Sequence, residues 1–215
     1  MAGPILIVNP NSSAAVTEGI RKAVAHMAPA AGPGFEVTDL PASPATIASA
    51  ADVALAGMGF ADLVATRPDA AAFVSACFSD PGVELARERV RQPVIGIQEA
   101  GILSAMTRAD LFGIIALSPR AIGRHRVRVR AMGVEGRMAG EVALPGVSAE
   151  ESGLSDAVYD QTRALGRELV AMGAGAIVLG CAGMAPRRAA LQDDLGVAVI
   201  DPVQAAAGMA LGAVG

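Results

Sequence analysis

The sequence predicts an α/β protein with two pseudo-symmetric lobes, each a parallel sheet flanked by helices, that face each other across a ligand-binding cleft. Short aliphatic and β-branched runs alternate with helix-length segments along the chain, and this alternation is typical of parallel sheets. Aromatic residues make up 3% of the 215 residues, tryptophan is absent and glycine occurs 25 times. Such a composition indicates an aliphatic core built on short buried strands.

The first half of the chain contains four predicted strands separated by three predicted helices. Apolar runs mark the strands, and longer Ala-rich or amphipathic segments bounded by Pro, Gly, Asn and Ser mark the helices. Asn11, Ser12 and Ser13 precede the first helix, and their side-chain oxygens are suited to cap its free N–H groups. The strands are predicted at residues 5–8, 35–40, 71–75 and 93–97, and the helices at residues 17–27, 47–64 and 83–90.

The second half repeats three landmarks of the first half in the same order, at a nearly constant separation of 104–109 residues. This repetition predicts a duplicated α/β unit with further strands at residues 114–117 and 176–179. One lobe would comprise residues 1–97 with 205–215, and the other residues 98–204. The matched segments are residues 7–10 with 116–119, 76–77 with 180–181, and 94–100 with 199–205.

The charge balance argues against a nucleic-acid or anionic-membrane partner. The chain carries 17 Lys and Arg against 21 Asp and Glu, for a net charge of -4, and it has few aromatic side chains on which bases could stack. The basic stretch at residues 120–137 is interpreted as a solvated helix face or a subunit contact. The partner expected from this composition is a small molecule.

The apolar and cysteine content predicts a reduced, cytoplasmic protein without a membrane span. Residues 169–186 carry no charge, but they hold four glycines, and their strongly apolar centre at residues 176–179 has strand length. Residues 1–9 lack the basic segment that opens a targeting signal. Two cysteines do not make a secreted disulfide framework, and with two histidines they show no metal-ligand spacing.

The two cysteines are the candidate chemical groups. Cys77 and Cys181 each end a predicted strand and are followed by a turn sequence. Because ligands bind outside the carboxyl ends of strands in open α/β sheets, two facing lobes would place one thiol on each side of the cleft. Backbone N–H groups after each cysteine would lower the thiol pKa. The alternative is that both are small buried hydrophobic residues.

Four motifs together resemble the aspartate/glutamate racemase superfamily, and within it the hydantoin racemase branch. The resemblance runs along almost the whole chain. Two departures are Ser79, where that branch usually has Gly, and residues 48–49, where an acidic residue often follows the Pro-x-x-Ile segment. The motifs are Asn-Pro-Asn-Ser-Ser at residues 9–13, Cys-Phe-Ser-Asp-Pro-Gly at 77–82, Leu-Gly-Cys-Ala-Gly-Met at 179–184 and Ile-Asp-Pro-Val at 200–203.

The resemblance implies an isomerase that racemises 5-substituted hydantoins without a cofactor or metal, with its active site in the cleft between the lobes. Cys77 and Cys181 would be the acid/base pair, since racemisation takes a proton from one face of a carbon and returns one to the other. The resemblance also implies a homo-oligomer. The substrate-binding residues it implies are Asn11, Ser12, Phe78, Ser79, Ala182 and Gly183.

Several alternatives remain open at the level of sequence. Other substrates of the superfamily are allantoin, aspartate or glutamate, and maleate, and a non-catalytic metabolite-binding protein on the same scaffold is a further possibility. The four motifs contain no Arg, which favours a neutral ring over a dicarboxylate. Asn11 fits a helix N-cap as well as a substrate contact. His26 and His125 are interpreted as surface residues, and Asp80 and Asp201 as turn residues.

Overall fold

A computed structural model describes residues 3–214 of the chain, so the outer ends of the predicted lobes, residues 1–2 and 215, lie outside the described residues. Strands and helices alternate along the described part, as the sequence predicts. The strands are β1 Ile5–Asn9, β2 Phe35–Asp39, β3 Ala72–Ser75, β4 Val94–Gly96, β5 Phe112–Ala116, β6 Met138–Ala143, β7 Ala176–Gly180 and β8 Ala198–Ile200. The helices are α1 Ala14–Ala25, α2 Ala50–Ala65, α3 Val83–Arg89, α4 Ile97–Met106, α5 Pro119–Ala131, α6 Ala149–Leu154, α7 Asp156–Ala171, α8 Arg188–Leu195 and α9 Pro202–Val214, with 3-10 turns at Glu135–Arg137 and Ala182–Arg187.

The strands form two four-stranded parallel sheets with the same topology. The first sheet has the order β2-β1-β3-β4 and the second the order β6-β5-β7-β8. Strands β1 and β5, and likewise β3 and β7, therefore occupy equivalent positions, which confirms the predicted pair of pseudo-symmetric lobes. The boundary between the lobes stays a prediction.

Alternate residues along each central strand pack against different helix layers. In β1, Ile5 and Ile7 pack into the layer that contains α1, α4 and α9, whereas Leu6 and Val8 face the core under α2 and α3. Successive side chains of a strand point to opposite faces, so both faces of the sheet are apolar and buried. The second sheet is covered on its other face by α7 and α8.

Several element boundaries differ from the predicted ones. Helix α2 begins at Ala50 and not at residue 47, because Ser49 and Asp52 form a capping box that fixes the start of the helix. The predicted fourth strand extended to residue 97, but Ile97 is the first residue of α4. The sequence analysis did not identify α4, α6, α7, α8, α9, β6 or β8.

A close approach of α2 to the start of α3 holds the loop that carries Cys77. Gly82 caps α3 with a φ of 74°, in the left-handed region. A Cβ at Gly82 would lie 2.2 Å from the carbonyl oxygen of Gly57 in α2. Only glycine at position 82 allows this packing, and the packing fixes one end of the loop at residues 77–82.

Among residues 3–214, no helix has the length and apolar content needed to cross a membrane. The uncharged segment at residues 169–186 instead contains the end of α7, strand β7 and most of the following 3-10 turn. Its centre is a buried strand, as predicted from its length.

Candidate active site

A cavity of about 680 Å³ opens where four parallel strands of the two sheets end. It lies beyond the carboxyl ends of β1 and β3 in one lobe and of β5 and β7 in the other. In each sheet the chain proceeds from the first central strand to one side and then crosses to the other, so these ends are topological switch points, where open α/β sheets bind ligands. The cavity therefore has the position expected of a binding site in both lobes.

Cys77 and Cys181 both line this cavity, one after β3 and the other after β7. Both are free thiols and partly buried. A charge on Cys77 raises the pKa of Cys181, after the larger effect of burial, which indicates that the two sulfur atoms are close enough to interact. The structure thus brings the two predicted chemical groups into one cavity, and their catalytic role stays a prediction.

The turns after the two cysteines have matching hydrogen bonds. The backbone N–H of Gly183 donates to Cys181 Sγ over 3.3 Å, and the backbone N–H of Ser79 makes the corresponding bond at Cys77. The carbonyl of each cysteine also accepts from the N–H three residues later, at Asp80 and Met184. The repeat that is visible in the sequence therefore extends to the local surroundings of each sulfur.

Burial raises the pKa of both thiols, and the backbone N–H groups, which lower the pKa as expected, offset only part of the rise. The pKa of Cys77 rises to about 11 because burial disfavours the thiolate, and the N–H of Ser79 opposes this only in part. The pKa of Cys181 rises to about 12 for the same reason, against the N–H of Gly183. Although each side chain reaches the cavity, it is surrounded by enough protein to favour the neutral thiol in the free protein.

Asn11 lines the cavity and is not the cap of α1. Ser13 caps the helix by accepting from Val16 N–H. The Oδ1 atom of Asn11 instead accepts from the Ser13 N–H and the Asn9 side chain, both at 2.8 Å. Asn9, which the sequence analysis did not select, also donates to Thr17. This buried network leaves the Nδ2 group of Asn11 available to a ligand.

The other predicted substrate-binding residues separate into two groups. Phe78, Ser79 and Ala182 line the cavity. Ser12 and Gly183 are not among the residues that line it. The Ser12 N–H donates to the Pro44 carbonyl, and the Gly183 N–H donates to Cys181 Sγ. The binding roles of all five stay predictions.

Asp80 and Asp201 hold the starts of two helices between the sheets. Both carboxylates are buried, and each accepts from two backbone N–H groups, Asp80 at the start of α4 and Asp201 at the start of α9. Burial raises the pKa of Asp80 to about 7 and that of Asp201 to about 6, while these N–H groups oppose the rise. Neither residue lines the cavity, which agrees with their interpretation as turn residues.

The interpretation of His125 as a surface residue is wrong, because it is buried and lines the cavity. Its Nδ1 lies 2.6 Å from Glu141 Oε1, and its ring contacts Phe78 edge-on at a centroid distance of 5.0 Å. The Gln98 side chain also donates to the His125 backbone carbonyl. Phe78 directly follows Cys77, so this cluster supports one wall of the site. His26 is exposed, as expected.

We expect His125→Ala to lower the free energy of unfolding by about 3–5 kcal/mol, because Glu141 would remain buried without its partner. Urea unfolding followed by circular dichroism measures this change. His26→Ala is the control and should change stability by less than about 0.5 kcal/mol, since His26 is exposed. A loss in His125→Ala no larger than that of the control would show that the His125–Glu141 contact is not a structural one.

The basic helix α5 is not simply a solvated face. Arg120 and Arg124 line the cavity, and Arg128 binds Glu84 and Glu99, which joins α5 to α3 and α4. The sequence analysis missed the two cavity arginines because α5 lies outside the four motifs. The sequence repeat could have indicated these arginines. It matches residues 116–119 with residues 7–10, and so places the start of α5 at the strand end equivalent to the one before Asn11.

The cavity holds no cluster of carboxylates or histidines suited to a metal. Among residues 3–214, no group of three or more His, Cys, Asp or Glu side chains is arranged to bind a metal ion. The polar side chains of the residues that line the cavity are two thiols, the amide of Asn11, the imidazole of His125, two guanidinium groups and several hydroxyl groups. This set can exchange protons and can stabilise negative charge on a ligand.

The chain matches a family model described as Asp/Glu/Hydantoin racemase over residues 5–210. It is 38% identical to a hydantoin racemase from Paenarthrobacter aurescens over 209 residues, which cover 94% of this chain and 87% of the relative. It is 37% identical to a hydantoin racemase from Rhizobium meliloti over 223 residues, which cover 96% of this chain and 86% of that relative.

Solved structures show the same architecture. An allantoin racemase from Klebsiella pneumoniae superposes with a TM-score of 0.88 at 35% sequence identity, covering 98% of this chain and 86% of the other. An allantoin racemase from Pseudomonas fluorescens superposes with a TM-score of 0.86 at 26% identity, covering 96% of this chain and 88% of the other. The similarity therefore extends over both sheets and the cavity between them.

Proposed function

Because this chain belongs to the Asp/Glu/hydantoin racemase family and is a racemase, we propose that it racemises 5-substituted hydantoins without a cofactor, with Cys77 and Cys181 as the acid/base pair. The observation that carries the proposal is that both free thiols line one cavity at equivalent strand ends of the two lobes. The hydantoin substrate is supported by the similarity to two hydantoin racemases.

The proposed reaction moves a proton through a planar intermediate. One cysteine, as thiolate, removes the proton from carbon 5 of the ring, and the other, as thiol, delivers a proton to the opposite face. The carbonyl beside carbon 5 takes up the negative charge as an enolate. At the end of the step the two sulfurs have exchanged protonation states, so the reaction runs in both directions.

The charge of the enolate needs preorganised donors, which are usually the largest contribution to catalysis of this kind. The backbone N–H groups of Phe78 and Ala182, each directly after a cysteine, and the amide of Asn11 are suited to this role, because these residues line the cavity. The N–H groups of Ser79 and Gly183 already face the sulfurs and stabilise the thiolate instead. Asn11 can both donate and accept, which suits a ring with N–H and C=O groups.

The reactive form of the thiol pair is proposed to carry a single negative charge. Burial makes the uncharged pair the main form in the free protein at neutral pH, and like-charge repulsion disfavours a second thiolate still further. A singly ionised pair holds one base and one acid at the same time, which is the composition that the reaction requires. The two sulfurs therefore titrate as a coupled pair.

Racemisation of allantoin is a second candidate, favoured by the overlap with two allantoin racemase structures. Allantoin is a hydantoin with a ureido group at carbon 5, so the same two-thiol chemistry would act on its ring. The distinction between the two substrates lies in the substituent and not in the reacting carbon. We also propose that the substrate is a small molecule and that the protein is cytoplasmic. A third proposal is that the protein forms a homo-oligomer.

A polarimetric panel tests the proposal. Enantiopure 5-alkyl hydantoins and allantoin are incubated with the protein, and we expect the optical rotation of at least one ring substrate to decay to zero. The Cys77→Ser/Cys181→Ser double variant is the control and should leave the rotation at its uncatalysed rate. Stable rotation of every ring substrate, with decay for aspartate or glutamate, would contradict the hydantoin assignment. Stable rotation throughout with tight ligand binding would indicate a non-catalytic binding protein.

A further inference from the structure

We propose that Arg124, assisted by Arg120, forms a subsite for an acidic group on the substituent of the substrate, so that hydantoins with a carboxyalkyl group at carbon 5 are a preferred substrate class. This inference rests on the proposed function, because it concerns the substituent of the same ring. It differs from the sequence-based argument that the lack of Arg in the four motifs favours a neutral ring over a dicarboxylate.

Arg124 is a partly buried cation that forms no salt bridge in the described part of the chain. The Asp52 carboxylate accepts hydrogen bonds from Ser49 and Ala48, which chiefly lower its pKa, and the charge of Arg124 helps to lower it. The Nη1 of Arg124 donates to the backbone carbonyl of Arg120 over 3.1 Å. Its Nε is buried and has no hydrogen-bond partner, and no salt bridge involves its guanidinium among residues 3–214. Burying a charged group without a hydrogen-bond partner costs free energy. A ligand anion that accepts from the Arg124 guanidinium would remove this cost.

Two other partly buried arginines of this protein are paired with carboxylates. Arg128, one turn further along α5, has 16% of its side chain exposed and binds Glu84 and Glu99. Arg67 has 22% exposed and binds Glu36 and an adjacent aspartate. Arg124, which lines the cavity, has no such salt bridge among the described residues.

The charged side chains that line the cavity are arginines, although the chain is acidic. Arg120 and Arg124 line it, whereas no Asp or Glu does, in a chain whose net charge is -4. The two arginines are four residues apart on α5, so their side chains project from the same face of the helix. Two guanidinium groups on one face suit a carboxylate, which accepts paired charge-assisted hydrogen bonds from arginine.

Arg124 lies near Cys77 in the cavity, so an acidic group bound by Arg124 would belong to a short substituent of the ring. The positive charge of Arg124 acts on Cys77 and partly offsets the effect of burial on the thiol. Apolar residues from two loops, Ile47 and Val147, line the same cavity and suit a short alkyl chain. A ring held between the sulfurs with a two-carbon acid arm is the substrate that uses both features.

The test compares 5-(2-carboxyethyl)hydantoin with its primary amide, which has the same shape and no charge. We expect the wild-type protein to favour the acid by about tenfold to a hundredfold in kcat/KM, the range that charge-assisted hydrogen bonds provide. Arg124→Gln should bring the acid-to-amide ratio close to one, and Arg120→Gln should lower it less. Arg126→Gln, at an exposed position of the same helix, should leave the ratio at its wild-type value.

Two outcomes would overturn the subsite. One is a wild-type ratio near one, and the other is a ratio that stays high in Arg124→Gln, as expected if Arg124 contacts the ring and not the substituent. If no hydantoin is racemised, the proposed function fails, and calorimetric titration with the same acid and amide decides about the subsite separately. Selective binding of the acid by the wild-type protein that is lost in Arg124→Gln would support it, and equal binding of the two compounds would contradict it.

Discussion

Replacing either Cys77 or Cys181 with serine is expected to lower kcat/KM for racemisation by about three orders of magnitude, in the middle of the range for loss of a positioned acid or base. A serine hydroxyl has nearly the shape of the thiol but is a far weaker acid. Each variant therefore keeps one working sulfur and lacks the group on the opposite face. Racemisation needs both faces, so both variants should be almost inactive.

The two variants should also differ from each other in a diagnostic way. A protein with one remaining thiol can still remove the proton from the enantiomer that faces it and return a solvent proton to the same face. In deuterium oxide this gives loss of the carbon 5 proton signal in one enantiomer without decay of optical rotation, and the other variant should act on the opposite enantiomer. Circular dichroism and urea unfolding establish that both variants are folded. Turnover near the wild-type level in either variant would remove that cysteine from the mechanism.

The second large effect concerns pH. Burial raises the pKa of Cys77 to about 11 and that of Cys181 to about 12, so in the free protein the thiolate fraction grows with pH until those values are reached. We expect the rate of alkylation of Cys77 by iodoacetamide, measured in Cys181→Ser, to rise about tenfold per pH unit from neutral pH to pH 10. At neutral pH the rate should be two to three orders of magnitude below that of an unperturbed thiol, whose reference pKa is about 8.5.

A rate that levels off near pH 8 would contradict the raised pKa of Cys77. It would show that the N–H of Ser79 and the charge of Arg124 outweigh burial in the free protein. Small-molecule thiols measured in parallel give the reference curve, and mass spectrometry of the modified peptide confirms the site of alkylation. The profile for Cys181, measured in Cys77→Ser, should also keep rising above pH 8, because burial, the largest cause of its raised pKa, remains when the charge of Cys77 is removed.

The sequence was sufficient to predict the architecture and the position of the two sulfurs. Repetition at nearly constant spacing predicted two lobes, and the structure has two sheets of identical strand order. Cys77 and Cys181 each follow a central strand, and parallel sheets present such ends at one edge. Strand ends are fixed by local sequence and topology together, which is why this part of the site could be predicted.

The contribution of α5 could not be predicted, because it depends on how the helix is rotated against the cleft. Its polar sequence has a weak apolar face, with only His125 and Val129 buried. Placing His125 in the wall requires knowing that Glu141, on β6, lies opposite it. The net rise in the pKa of each thiol could not be predicted either, because the N–H donors that lower it can be inferred from a turn, whereas the protein atoms that bury each sulfur come from distant segments.

Isotope incorporation during the first few per cent of turnover tests the central claim most directly. The wild-type protein is given one enantiomer of a 5-alkyl hydantoin in deuterium oxide, and product and recovered substrate are separated on a chiral column. Two opposed sulfurs predict product with deuterium at carbon 5 and recovered substrate that keeps its protium. Deuterium entering the recovered substrate as fast as product forms, or product that retains the original protium, would mean that a single base serves both faces.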